Sequence, residues 1–369
     1  MKSNLLMFAA PRIEYGERAL ETLKGEECSR ALVITDKNLS KLEFPEFVIQ
    51  NLKAERVEVY DGVEGEPDTT MAFKCSEFAR KVDPELIVAI GGGSVIDLAK
   101  FARVAMEVNI DPREVRAKLN LRAMGFRKKA KLVAVPTTSG SGADCTLAVM
   151  LKHGNSKISA INVEFIPDMT ILDYRLVEKM PRRLVATTGV DALAHGIEAF
   201  LTKLHNDFSD LFALRAVQLI LENIEKSYDG DTAARAKMHL AATMAGIAIN
   251  NSQLGAVHAL AHSFGAVFGL DHSMTIAIFL PKVLRAYIPE QRLEELAEKL
   301  GFSKPSHFVK RIEELIENLS LPSKVIETVE DPSGKLEVLI ESAMKDLSFR
   351  FTPKLLSREE VADIFRNVF

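Results

Sequence analysis

The chain has 369 residues, 47% of them hydrophobic and 27% charged, with a formal net charge of −4. That length exceeds what one hydrophobic core supports, so two domains are expected. The balanced charge excludes a general attraction to nucleic acid or to an anionic membrane surface.

The opening stretch MKSNLLMFAAPRIEYG has neither the apolar core of a signal peptide nor the run of about 18 apolar residues that spans a bilayer. A cytoplasmic protein without a membrane partner is expected. Short β-branched runs then alternate with helix-length segments: ALVITD (31–36), ERVEVYDGV (55–63), LIVAIGGGS (86–94) and KLVAVPTT (131–138). Runs such as LIVAI are apolar at successive positions, as strands covered on both faces of a parallel sheet require. LAVML, KISAIN and MTILD, between 147 and 173, read as further strands. Helical periodicity takes over after Leu176, in segments such as DLFALRAVQLILENIEKS and LEELAEKLGF, with Pro181, Pro281, Pro305 and Pro322 as punctuation. The expectation is an α/β domain over 1–176 and an all-α domain over 177–369. Cys28, Cys75 and Cys145 are odd in number and far apart, which suits ordinary thiols rather than disulfides or a metal motif.

Two turns point to an anionic ligand. LIVAI runs directly into Gly91, Gly92, Gly93 and Ser94 and then a helical stretch, so unpaired N–H groups and the helix dipole face one point where glycines let a phosphate approach. The GxGxxG pattern is not met, because position 96 is Ile. The second turn, Pro136 to Gly142, includes Thr137, Thr138 and Ser141 and follows the next strand. It would lie at the same carboxyl edge of the sheet, where ligands bind in open α/β folds. Asp36 closes the first strand, and its carboxylate suits either ribose hydroxyls or the cap of the next element.

Two later stretches carry metal chemistry. TTGVDALAHGIEAF (187–200) sets Asp191 and His195 four residues apart, hence on one helix face. VHALAHSFGAVFGLDHS (257–273) adds His258, His262 and His272 in an apolar setting. One carboxylate with several imidazoles suits Fe, Zn or Ni, and spacing alone pairs His258 with His262. His153, His239 and His307 stand alone and read as hydrogen-bonded core residues.

GGGSVIDLAK (91–100), PTTSGSGAD (136–144) and these two stretches together resemble the iron-containing (group III) alcohol dehydrogenases, over nearly the whole chain. The resemblance implies a dehydroquinate synthase-like fold: an N-terminal dinucleotide domain and a helical metal domain, with NAD(P) and the metal in the cleft between them. It implies an enzyme moving a hydride between an alcohol and NAD(P), with Fe(2+) or Zn(2+), NAD in preference to NADP, a small alcohol or aldehyde as substrate, and a homodimer. By the same resemblance Asp191, His195, His258 and His272 are the metal ligands, and His262 is a catalytic residue beside the substrate. Gly92, Gly93 and Ser94 hold the pyrophosphate, Asp36 the adenine ribose, and Asp97, Thr137, Thr138, Ser141, Thr146 and Lys157 line the cofactor. Where the family commonly reads PHG around the last ligand, this chain has Asp271 and Ser273, which implies an added carboxylate near the metal. Glycerol and glycerol-1-phosphate dehydrogenases and dehydroquinate synthase share the architecture, generally with three zinc ligands and no equivalent of His195. A non-enzymatic metal scaffold is the rival from a different class.

Overall fold

A computed structural model describes residues 7–42, 44–114, 120–154, 156–324 and 333–369, with the side chains of Ser156, Lys157 and Ser333 also outside the description. The chain forms two compact units. One runs over Ala9–Lys179; the other comprises Met180–Phe369 and takes in Met7 and Phe8.

The first unit is a six-stranded sheet. Its strands are β1 (Arg12–Gly16), β2 (Glu27–Asp36), β3 (Lys53–Val63), β4 (Leu86–Gly91), β5 (Lys131–Pro136) and β8 (Met169–Asp173), in the spatial order β1-β8-β5-β4-β2-β3. Every pairing is parallel. Helices α1 (Phe44–Ile49), α2 (Thr69–Val82) and α3 (Gly93–Ala105) alternate with the strands. The continuous apolar runs have a direct cause: Ala31, Val33, Val88 and Val133 enter one core and Leu32, Ile34, Ala89 and Leu132 another, so both sheet faces are covered. LAVML and KISAIN do form strands, β6 (Ala148–His153) and β7 (Ser156–Ile161), but these make a separate antiparallel pair.

The second unit contains α4 (Arg182–Leu201), α5 (Asp207–Tyr228), α6 (Thr232–Asn250), α7 (Ala256–Phe268), α8 (His272–Ala286), α9 (Gln291–Lys299), α10 (Pro305–Asn318), α11 (Leu336–Lys345) and α12 (Arg358–Arg366). Its described regular elements are all helical. By length and hydropathy α4 could cross a membrane, but 89% of its apolar stretch is buried inside the protein. It is the central core helix, packed against α5, α6 and α8. Gly189 and Gly196 lie seven residues apart on one face, where added Cβ atoms would meet Ile224 Cδ1 at 2.7 Å and Val217 Cγ2 at 2.9 Å. These glycines let α5 approach closely, while Asp191, His195 and Glu198, at i, i+4 and i+7, share another face.

Two expectations need correction. Pro281 does not punctuate but lies inside α8, where it withdraws the N–H that would have met the Ala277 carbonyl without ending the helix. His239 is buried, but His153 and His307 are exposed. They sit at the end of β6 and the start of α10 and pair with Thr69 and Ser303 hydroxyls.

Candidate metal centre and dinucleotide edge

On α4, α7 and the first residue of α8, three imidazoles converge on one carboxylate oxygen. Asp191 Oδ1 lies 3.7 Å from His195 Nε2, 3.6 Å from His258 Nε2 and 3.8 Å from His272 Nε2. The His195 and His258 rings stack, with centroids 4.7 Å apart. Those separations are too long for hydrogen bonds. Donors about 2.1 Å from one tetrahedral ion would stand about 3.4 Å apart, and ligand atoms of Asp191, His195 and His258 all lie within 4.8 Å of one another, a spacing that suits a shared ion, with His272 approaching the same oxygen. Asp191 Oδ1 and His258 Nε2 are buried and, among the described residues, find no hydrogen-bond partner, which a purely structural cluster does not tolerate cheaply.

The electrostatics agree. Burial alone would push the Asp191 carboxyl up, but His195, His258 and His272 hold it well below the carboxylate range. Burial opposes charge on His258, yet Glu198 and Asp191 outweigh it and push its pKa up to about 9.

Two carboxylates absent from the sequence reading support the histidines. Glu198 Oε2 stands 2.5 Å from His258 Nδ1 while its Oε1 accepts from the Val257 N–H at 2.7 Å. Asp346, just past α11, sits 2.9 Å from His262 Nδ1 and accepts from the Ser348 N–H through its other oxygen. The signal for Glu198 was its place three residues after His195 on one helix face. For Asp346, 84 residues from His262, local sequence holds no signal. His262 lies beside the cluster, its ring 5.1 Å from that of His272. Asp271, expected to add charge near the metal, is exposed and caps α8 through the Met274 N–H.

In the α/β unit, β2, β4 and β5 are neighbours whose carboxyl ends carry Asp36, Gly91 and Pro136, with Gly91 and Pro136 in register. Gly92 is the N-cap of α3, and Gly93 and Ser94 form its first turn. A Cβ on Gly93 would meet Ser141 Oγ at 2.6 Å, and one on Gly92 would lie 3.5 Å from the Thr138 side chain. The Thr137 N–H donates to the Gly91 carbonyl. The two turns therefore form one small-residue edge around a helix N-terminus, an arrangement suited to phosphate. Asp36 Oδ1 accepts from the N–H groups of Asn38 and Leu39 at 2.8 and 2.9 Å, and Lys37 pairs with Glu64.

Other expected cofactor residues are engaged by the fold. Lys100 Nζ is fully buried and donates to Asp97 Oδ1, Thr146 Oγ1 and the Ala148 carbonyl, at 3.2, 3.1 and 2.9 Å. Asp97 Oδ2 accepts from the Met150 N–H. Burial pushes Lys100 down and Asp97 up, and their mutual attraction opposes both shifts. Lys157 belongs to β7, and the expectation for its side chain lies outside the described residues.

Comparisons with known proteins follow this division. Residues 10–174 match the family "Iron-containing alcohol dehydrogenase", and residues 185–369 match "Fe-containing alcohol dehydrogenase family, C-terminal". The chain is 35% identical to an alcohol dehydrogenase of Thermococcus barophilus, over 97% of each protein. It is 32% identical to an NADPH-dependent butanol dehydrogenase of Clostridium saccharobutylicum, over 99% of this chain and 98% of that one. Among solved structures, the iron-containing alcohol dehydrogenase of Thermococcus thioreducens superposes with a TM-score of 0.88 at 32% identity, covering 98% of this chain and 99% of that chain.

Proposed function

Since the chain belongs to the iron-containing alcohol dehydrogenase family, and is thus an NAD(P)-linked oxidoreductase interconverting alcohols and carbonyls, we propose that Asp191, His195, His258 and His272 hold its metal. The observation that carries the assignment is the convergence of three Nε2 atoms on Asp191 Oδ1, which has no hydrogen-bond partner among the described residues. A divalent ion held there supplies a Lewis acid for the substrate oxygen, while the nicotinamide carries the hydride.

His262 manages the proton. With Nδ1–H directed at Asp346, its Nε2 is the nitrogen that accepts the hydroxyl proton, directly or through water, and returns it in carbonyl reduction. Gly92, Gly93 and Ser94 receive the pyrophosphate at the α3 N-terminus, with Thr137, Thr138 and Ser141 alongside and Asp36 on the ribose. Asp97 and Thr146 serve through Lys100, holding β6 against α3 beneath that edge.

The preferred coenzyme is NAD, and the substrate is a short primary alcohol or its aldehyde, as in the butanol enzyme. The protein works in the cytoplasm as a homodimer; exposed Met7, Phe8, Phe208 and Leu211, with the Phe8 and Phe208 rings 5.2 Å apart, offer an apolar surface for a second copy. The test is NADH oxidation with butanal, using protein stripped by chelator and refilled anaerobically with Fe(2+). Activity returning in step with bound iron is expected. An iron-filled protein that leaves NADH untouched with butanal and related aldehydes overturns the reading.

A further inference from the structure

We infer that Glu198 is a positioning residue that sets the affinity of the metal centre by fixing the proton of His258 on Nδ1. This rests on the ligand assignment proposed above.

Glu198 is 4% exposed and His258 1%. The carboxylate reaches from α4 to the first turn of α7 and meets two donors at once, the Val257 N–H at Oε1 and His258 Nδ1 at Oε2. The backbone N–H can only donate. A carboxylate is therefore the acceptor that satisfies both contacts, and the imidazole proton lies on Nδ1. In the neutral ring, the form that binds a metal, that leaves the lone pair on Nε2, the atom 3.6 Å from Asp191 Oδ1.

The chain makes room for this contact. Gly255, the N-cap of α7, offers no side-chain cap of its own; a Cβ there would stand 2.8 Å from Glu198 Oε1. Glycine admits the carboxylate of another helix to the helix N-terminus, where negative charge is favoured. One group thus caps α7 through one oxygen and orients a ligand on it through the other.

The decisive substitution is Glu198→Gln, which keeps the shape and has one acceptor oxygen. If that oxygen keeps the Val257 N–H, the amide NH₂ faces His258 Nδ1, and the imidazole proton moves to Nε2, the ligating atom. Metal-free full-length protein is titrated with Zn(2+) against a chromophoric chelator, with circular dichroism and NADH binding followed on the same samples. Glu198→Gln is expected to bind Zn(2+) about 10–100-fold more weakly, with helix content and NADH affinity unchanged. Gly255→Ala, which touches no ligand, is expected to weaken Zn(2+) in the same direction by displacing the carboxylate. Wild-type Zn(2+) affinity in a folded Glu198→Gln overturns the inference. Should that variant not fold, wild-type affinity in Gly255→Ala overturns it instead. A wild-type protein that takes up no Zn(2+) overturns the ligand assignment itself, which separates the two failures.

Discussion

Lys100 and Asp97 in the α/β unit are buried much as His258 and Asp191 are in the helical unit, yet the two clusters differ in what they leave over. Around Lys100 the ammonium has three acceptors, and both Asp97 oxygens are occupied. Around Asp191, an oxygen and the His258 Nε2 face one point, and neither finds a hydrogen-bond partner among the described residues. Burial and charge alone do not distinguish a functional cluster from a structural one. The distinguishing feature is where hydrogen-bonding capacity remains once the protein's own groups are paired.

Breaking the comparison at its ligand end gives the largest effect. His258→Ala or His272→Ala is expected to empty the metal site and lower activity roughly a thousandfold, the equivalent of about 4 kcal/mol of lost charge stabilisation. Elemental analysis beside kcat/KM checks it, and full metal content in His258→Ala would refute the assignment. At the structural end, Lys100→Met leaves Asp97 without its cation. About 3–5 kcal/mol of stability should be lost, while metal content in the surviving folded protein is unchanged. Thermal unfolding with metal analysis reads both quantities.

The clusters also differ in how far the sequence announced them. Asp191 and His195 share a helix turn, and His258 belongs to an apolar helix rich in histidine, so the ligands stand out locally. Lys100 and Asp97 look like an ordinary i, i+3 surface pair; the burial comes from the β6–β7 hairpin folding over α3, and the apolar pattern of those strands does not name their partner. Strands covered on both faces were legible as unbroken apolar runs. β1, an edge strand reading RIEYG with Arg12 and Tyr15 exposed and the residues between them half-buried, lacks that signature. Spacing favoured His258 with His262 as the chelating pair, whereas His262 has its Nδ1 directed at Asp346, a contact set by tertiary packing alone.

Removing the metal turns the helical cluster into a titrating one, which gives a pH prediction. His258 in the metal-free fold has its pKa pushed up to about 9 from 6.5. A raised pKa contributes stability that is present in full below about 6.5 and lost as pH rises through about 9. The loss across that window is on the order of 3 kcal/mol. With an ion on His258 there is no proton to lose. Burial pushes Lys282 down to about 8, which adds stability with rising pH above 8 in both forms, so the difference between metal-free and metal-filled protein isolates His258. Urea midpoints at pH 6 and pH 9 that shift equally in the two forms would contradict this.

His262 sharpens the comparison from within the site, because it is a histidine beside the cluster that is not a ligand. His262→Ala should retain metal and lose about a hundredfold in turnover, the lower range for a proton-transfer group. An empty site in that variant would make His262 a ligand and reverse its role with a neighbour.

The smallest effect tests Asp36, whose position falls between the two types: Oδ1 already caps the turn after β2 through Asn38 and Leu39, and Oδ2 is the oxygen that can meet a ribose. A 2′-phosphate would bring two negative groups together. At about 4 Å and an effective dielectric near 20 the repulsion is on the order of 4 kcal/mol, which salt and movement reduce. One third of that still favours NADH over NADPH roughly tenfold. Lys37 could neutralise the phosphate, but it must first leave Glu64, an exposed and solvent-screened pair. Because Asp36→Gly would also remove the turn cap, Asp36→Asn is the cleaner substitution: its side-chain oxygen still accepts from Asn38 and Leu39 while the charge is gone. The expected result is a roughly tenfold shift in the NADH to NADPH ratio of kcat/KM, with unfolding unchanged. A wild-type preference for NADPH, or an unchanged ratio in Asp36→Asn, would show that Asp36 only caps its turn and belongs with the satisfied carboxylates such as Asp97.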